Sequence, residues 1–441
     1  MMSLPTGPMP SCQRPSARTS PLARRLVLGG LIAAGAAGLS ACGEERHWID
    51  ENGLTTATGG ATPAPSAPGS NGPGAVTVAP AVPPGVTPPS AVSPAPLPAP
   101  RSLEVAPREV VRRLASVLWR EPNAAALLIE EDATLKSSED VRNLALRMLG
   151  DARAQAGVGG FYRWWLQQDR LAAIAKSPTR FPEFTAALRS DMGREAELLG
   201  THLTLEANAA LPALFTADFS FLNERLASVY GVPNVVGDEP RKVAVDAQTR
   251  AGVLTLPGVM AVTSMPTRTS PSLRGVFMNS QMFCLEVPPP PPGISPLTPP
   301  PPGAPSQTTR QELTAAVREP VCQGCHSLVD PPGFPFEGLD PIGRARTTEN
   351  GLPVDTSATF REGGVVAGAR AFGERLATSP STRDCFVEQW LTYALGRPLS
   401  LTERSEVGGL SRDAAQSGYN LKQVIGTVLQ SRAFLSSLST R

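Results

Sequence analysis

Histidine is scarce in this chain: three in 441 residues, at His47, His202 and His326. Catalysis by paired or relayed imidazoles is therefore poorly supplied, and no Ser/His/Asp triad, paired-carboxylate motif or glycine-rich phosphate loop is found. Neither sign of charge is in excess: the formal net charge is +1. That removes the electrostatic argument for a nucleic-acid partner, which needs a basic face. Aromatic residues make up only 5% of the chain. Cysteine is limited to six residues, of which Cys12 and Cys42 fall in the N-terminal region. That leaves Cys284, Cys322, Cys325 and Cys385 for the folded part.

Proline and glycine are abundant instead, at 47 and 40 residues, and are concentrated in a few stretches. Arg14, Arg18, Arg24 and Arg25 precede an uncharged, weakly apolar run from Leu26 to Cys42. A basic segment followed by a short apolar one reads as an export signal, and the run is too short and too rich in Ala and Gly to span a bilayer well. It ends Leu39-Ser40-Ala41-Cys42, which resembles a bacterial lipobox with Cys42 as the lipidated residue. Residues 1–42 are thus expected to be a lipoprotein signal. The expected location is exported and membrane-anchored, at the outer membrane or the periplasmic face. Gly43, standing where an Asp would favour inner-membrane retention, tilts the expectation to the outer membrane. Residues 43–104 are expected to be a disordered tether, because the Pro, Ala, Ser, Gly, Thr and Val of Gly53 to Pro100, almost without charge, cannot bury a core. In extended polyproline form its Pro-rich part, Gly53 to Pro100, would reach on the order of 150 Å.

From Pro107 the pattern turns helical. Val110, Val111, Leu114, Val117 and Leu118 recur at 3.6-residue spacing. A second helix is expected after Ser138, a third through Phe161, Trp164 and Trp165, and a fourth through Phe184, Leu188, Met192 and Leu199, stopped by Gly200. A fifth is expected to start near Asp218 and end at Tyr230-Gly231. This half, 105–235, reads as an all-α bundle. A second region spans 249–348 and includes the stiff polyproline run Pro288–Pro302, expected to wrap the outside of the bundle. A third, 368–438, is helical again, with Asp384 and Asn420 as expected helix caps. The fold class is therefore mainly α: a helical bundle, a central segment and a C-terminal helical module.

The chemistry concentrates in Val321-Cys322-Gln323-Gly324-Cys325-His326. Cys-x-x-Cys-His is the attachment signature of a c-type haem. On a helix, residues three apart share a face, so Cys322 and Cys325 can reach two vinyl groups on one porphyrin edge. His326 can then offer an imidazole nitrogen to iron as proximal ligand. The alternatives are a structural Cys322–Cys325 disulfide or half of a zinc site. Export supports haem, since attachment takes place outside the cytoplasm in an oxidising space. No Met and no His follows His326. A distal protein ligand must come from upstream: Met260, Met265, Met278, Met282 or His202, with Met265 favoured because Ser264-Met265-Pro266 reads as a loop. Arg268, Arg274 and Arg344 are candidates to pair with haem propionates or to form ordinary surface ion pairs. The turn-rich stretch from Asp330 to Gly343 is of a kind that packs over a haem edge. Cys284 and Cys385 are candidates for a disulfide between the middle and C-terminal modules; the competing picture is a zinc site of all four cysteines.

Longer stretches carry a resemblance. Arg112-Arg113-Leu114-Ala115-Ser116-Val117-Leu118-Trp119, Phe161-Tyr162-Arg163-Trp164-Trp165-Leu166 and Ala217-Asp218-Phe219-Ser220-Phe221-Leu222-Asn223-Glu224-Arg225 resemble the helical domain of unknown function 1592. Thr267-Arg268-Thr269-Ser270-Pro271, the Cys-x-x-Cys-His and Asp340-Pro341-Ile342-Gly343-Arg344 resemble domain 1588, and Leu391-Thr392-Tyr393-Ala394-Leu395-Gly396-Arg397 resembles domain 1585. The resemblance implies an exported, cytochrome-like protein of planctomycete or myxobacterial type. The expectation is one covalent haem c, electron transfer at the cell envelope with an unidentified redox partner, and membrane contact through the lipid anchor. Two other readings stand beside it. One is a haem-dependent oxidoreductase on an extracytoplasmic substrate. The other is a surface binding protein without haem, in which Cys-x-x-Cys holds a disulfide or zinc.

Overall fold

A computed structural model of the chain describes residues 100–123, 135–289 and 305–438, all inside one compact unit, Val76–Arg441. The signal with Cys42, most of the tether and most of the polyproline run lie outside the described residues. Helix α1, Pro107–Leu118, begins with Pro at its first position and turns Val110, Val111, Leu114 and Leu118 fully inward. Its proline costs nothing there, because the first N–H groups of a helix have no intrahelical partner. Helix α2, Ser138–Met148, is started by a capping box between Ser137 and Asp140. Helix α3, Ala154–Trp165, supplies Phe161, Tyr162 and Trp165 to the core.

Helix α4, Ala186–Thr201, does not stop at Gly200 as the sequence suggests; it passes into a π turn, His202–Glu206. Gly200 serves packing instead. A Cβ there would sit 2.1 Å from the Tyr162 ring, so the missing side chain is what lets that ring lie against the helix. The fifth expected helix is also corrected. After a short α5, Pro212–Thr216, the chain extends as strand β1, Phe219–Leu222, and only then forms α6, Glu224–Tyr230, capped by Asn223. Strand β2, Arg241–Ala244, pairs antiparallel with β1, setting Phe219 opposite Ala244 and Leu222 opposite Arg241. Ser220 and Leu222 are buried and alternate with half-buried Phe219 and Phe221. That is the two-residue period of a strand, too short to read beside a helix.

The middle of the chain holds α7, Pro257–Val262, α8, Pro271–Met282, α9, Thr309–Ala316, and α10, Pro320–Val329. Two small hairpins follow: β3 (Thr348–Glu349) with β4 (Leu352–Pro353), and β5 (Ser357–Thr359) with β6 (Val365–Ala367). The end is helical: α11 (Gly368–Thr378), α12 (Pro380–Leu395), α13 (Leu401–Ala415), α14 (Leu421–Leu429) and α15 (Arg432–Ser436). Asn420 caps α14, but Asp384 caps nothing. Helix α12 starts earlier, at Pro380, with the Ser379 hydroxyl accepting from the Thr382 N–H. Among the described residues no helix is long and apolar enough to cross a membrane.

The principal core runs from Val110 to Leu438 without a break between the three regions. Phe161 of α3 stacks on Trp390 of α12 with ring centroids 3.8 Å apart, and Arg113 of α1 donates to the carbonyls of Ala394 and Leu395. The first and last helical regions thus bury their apolar faces against each other. Cys284, just past α8, and Cys385 of α12 are joined by a disulfide, with Cα atoms 5.2 Å apart. It closes a loop with a sequence separation of 101 residues. Cross-links over loops of that size commonly stabilise by about 2–5 kcal/mol. Replacing both cysteines by Ala should lower the unfolding free energy by an amount in that range, read by urea denaturation under non-reducing conditions. An unchanged midpoint would show the link contributes nothing.

One buried carboxylate stands apart from the apolar core. Glu195 of α4 is 1% exposed; its Oε1 accepts from Ser220 Oγ at 2.5 Å and Tyr230 Oη at 2.6 Å, while Oε2 has no partner. Burial pushes its carboxyl up to about 7, against the opposing pull of the Ser220 and Tyr230 hydrogen bonds and of Arg250. The native state therefore holds this proton more tightly than the unfolded chain, and stability falls as pH rises from 4.5 towards 7. Glu195→Gln keeps an acceptor for both hydroxyls and does not titrate. Melting at pH 5 and pH 8 should show the variant gaining on the parent at the higher pH; a pH-independent difference would contradict the assignment.

Candidate functional site

The Cys-x-x-Cys-His motif occupies α10, which starts with Pro320 at its first position after Glu319. Val329 is the helix's single fully buried residue. Val321 is 68% and Leu328 41% exposed, so two apolar side chains of this short helix face outward. Cys322 is half-buried, Cys325 is exposed, and neither is in a disulfide. A Cβ on Gly324, between them, would meet nothing within 4 Å.

Helix α8 holds this helix in place by close backbone approach. A Cβ on Gly275 would fall 1.5 Å from the Val329 carbonyl oxygen, and one on Gly333 would fall 1.9 Å from the carbonyl oxygen of Pro271. No other residue type allows those contacts. Asn279 of α8 donates its side-chain amide to the Leu328 carbonyl at 3.1 Å, and Ser272 donates its hydroxyl to Asp330 at 2.7 Å. The Leu328 carbonyl, in the last turn of α10, thereby gains the partner a helix end requires.

His326 is 28% exposed at its side chain, and its Nδ1 lies 3.0 and 3.1 Å from the two carboxylate oxygens of Asp330, one turn on. Asp330 itself is 4% exposed. Burial raises its carboxyl from the ordinary value, opposed by the hydrogen bond from Ser272 and by His326. In the neutral ring this contact puts the proton on Nδ1 and leaves the Nε2 lone pair for another partner. The sequence reading placed Asp330 in a turn-rich loop and missed this role. The visible signal was its spacing: four residues after His326, on the same helical face.

The donor set suits a covalently attached haem: two unpaired thiols three residues apart, a free imidazole nitrogen directly after, and apolar side chains left uncovered on the same short helix. The four-cysteine zinc picture is not formed, because Cys284 and Cys385 are spent on each other. Among the described residues no group of three or more His, Cys, Asp or Glu draws together as an ion site.

The other candidates are distributed more widely. Met260, Met278 and Met282 are fully buried in the principal core. His202 has both nitrogens engaged, Nδ1 with Glu206 at 2.7 Å and Nε2 with the Lys242 ammonium at 3.1 Å, so it offers no lone pair to iron. Met265 is half-buried in the loop after α7, where its carbonyl and those of Ala261 and Ser264 accept from Lys176 Nζ at 2.8 to 3.1 Å. Burial, with Arg274 nearby, brings the Lys176 ammonium down to about 7.

The three arginines face carboxylates of the protein itself. Arg268 pairs with Glu312 at 2.6 Å, and Arg344 with Asp340 and Glu183, each at 2.6 Å. Arg274 is neither a surface ion pair nor open to a propionate: it is 0% exposed and pairs with Glu337, itself 1% exposed, at 3.1 Å. Desolvation brings its guanidinium down to about 10, against the pull of Glu337. The stretch from Asp330 to Gly343 likewise folds inward, placing Phe336 against Phe372 of α11 with centroids 5.5 Å apart. Since the α8–α10 contact is backbone on backbone, Gly275→Ala should destabilise by about 1–3 kcal/mol. Hydrogen exchange should show α10 amides losing protection first; unaltered protection there would mean the helix is held by other contacts.

Comparison with known families accounts for most of the folded part. Residues 105–232 match the model for a protein of unknown function, DUF1592; residues 250–349 match DUF1588, and residues 362–434 match DUF1585. No curated protein and no solved structure matches the chain. Helix α10 and its Cys-x-x-Cys-His lie inside the second match. The likeness seen in the short motifs is borne out: the chain carries domains of unknown function 1592, 1588 and 1585, in that order.

Proposed function

We propose that this chain is an exported, lipid-anchored, mono-haem c-type cytochrome-like protein that passes electrons at the cell envelope. The observation that carries this reading is the state of α10: Cys322 and Cys325 are both unpaired, and His326 is held by Asp330 so that Nε2 is free. Each thiol would add across one vinyl group, sulfur to one carbon and hydrogen to the other, with no net change in oxidation. His326 would supply the proximal nitrogen, and the bound haem would supply one-electron exchange. Val321 and Leu328 would give the ring apolar contact that water now takes.

Met265 is the distal ligand in this proposal. It is half-buried in a loop, whereas the other upstream methionines are locked in the core and His202 is engaged at both nitrogens. Thioether ligation raises the reduction potential and suits electron transfer. The lipid at Cys42, the outer-membrane or periplasmic location and a protein redox partner belong to the same proposal; they rest on the export signal and tether in the sequence. The same restricted supply of distal ligands also favours a second reading. If Met265 does not bind, the sixth position is open, and a haem-dependent oxidoreductase acting on an extracytoplasmic substrate follows.

Expression in a host that matures c-type cytochromes tests attachment. The parent should stain for covalent haem, and Cys325→Ser should lose the two-thioether form. Full haem content in that variant, or a colourless parent free of iron, overturns the reading. A far-red thioether-to-iron band, present in the parent and lost in Met265→Ala, separates electron carrier from open-site enzyme.

A further inference from the structure

The contact between His326 and Asp330 has a geometry that attachment alone does not require. A proximal imidazole needs its Nδ1–H to have some acceptor, and a neutral backbone carbonyl would serve. Here the acceptor is a carboxylate. Both its oxygens lie within 3.1 Å of Nδ1, it is 4% exposed, and it is fixed from the other side by Ser272 of α8. The fixing is rigid on both helices. Asp330 directly follows α10, and its backbone N–H donates to the His326 carbonyl at 3.0 Å, while α8 meets α10 through the Gly275–Val329 approach. Asp330 is shielded from water while the ring is partly exposed, so the carboxylate's charge acts on the ring with less screening than at an open surface.

We propose that Asp330 is a positioning residue that gives His326 imidazolate character, making it a stronger donor to ferric iron and setting the haem potential low for its ligand type. This rests on the haem reading above and deepens it. A charge-assisted hydrogen bond raises the basicity of the ligating nitrogen. A more basic nitrogen stabilises the higher oxidation state, so the reduction potential falls. Ser272 keeps the carboxylate turned to the ring. The site would then suit a partner that delivers or accepts electrons at lower potential than a site with a carbonyl-bonded imidazole.

The experiment uses the full chain matured with haem. Asp330→Asn keeps an acceptor and removes the charge. It should raise the midpoint potential and, on a Met265→Ala background that leaves the ferrous haem five-coordinate, lower the iron–histidine stretching frequency in the resonance Raman spectrum, with haem content unchanged. Ser272→Ala is the control for a purely structural role: it removes the Ser272–Asp330 link between α8 and α10, which Asp330→Asn also weakens, but leaves the charge in place. Thermal stability should fall in both variants, whereas the large shift in potential and frequency should appear in Asp330→Asn alone. Haem-loaded Asp330→Asn with the parent's potential and frequency overturns the role of Asp330 and leaves the haem reading standing. Equal shifts in both variants also overturn it, since they would follow from loosened packing. A parent that carries no covalent haem overturns both together.

Discussion

An ion pair with almost no exposure to water is buried in the middle region, whose elements are arranged around it. Arg274 of α8 reaches Glu337 at 3.1 Å, the Phe336 and Asp340 carbonyls at 2.5 and 3.1 Å, and Ser264 Oγ at 3.2 Å. Glu337 also accepts from Thr269 Oγ1 at 2.7 Å and Arg346 Nη2 at 3.2 Å. Arg346 continues to Glu349, whose carboxylate binds the Thr309 N–H and hydroxyl at the start of α9. Burying such charges is expensive, and the expense is offset only when each group finds partners of good geometry. Here nearly every donor and acceptor does, with Arg274 Nε left over. The network fixes a conformation as well as stabilising it. It pins α8, the loop after α10 and the entry to α9 in a single relative arrangement.

That arrangement explains why the thiol-bearing helix can be so poorly buried and still be placed. Helix α10 contributes one buried side chain, so it cannot hold itself by apolar packing. It is held by backbone approach at Gly275 and Gly333, by Asn279, and by Ser272 through Asp330. All four come from α8 or the loop that Arg274 anchors. The apolar surface that remains, Val321 and Leu328 beside two free thiols, is the kind of surface a covalently bound planar group would cover.

The three family segments match separately but do not fold as separate bodies. Phe161 and Tyr162 from the first lie with Phe386, Trp390 and Tyr393 from the third in one aromatic cluster. The Cys284–Cys385 disulfide ties the second to the third, and Lys176 from the first caps carbonyls in the second. Stability in this molecule is therefore shared across the segment borders, and the site in the middle segment depends on both neighbours for its frame.

Sequence alone determined the mainly helical character, because 3.6-residue apolar periodicity repeats through α1 to α4 and α14 and is unambiguous over such lengths. It also determined the family segments and the motif, since Cys322, Cys325 and His326 are adjacent in the chain and need no fold to be seen. Local capping was legible at Asn420 and misread at Asp384, where the proline after Ser379 fixed the helix start. The β1–β2 ribbon was not legible: four residues of alternation are too few, and the partner lies about twenty residues on. Only the tertiary structure decided the charges. Arg274 looked like a surface group and proved to be the buried anchor, because its burial depends on Glu337, a residue 63 positions away. It likewise decided that Cys284 meets Cys385 and that His202 is engaged at both nitrogens. Helical periodicity and adjacent motifs are written in neighbouring residues; desolvation and pairing are properties of what the fold brings together.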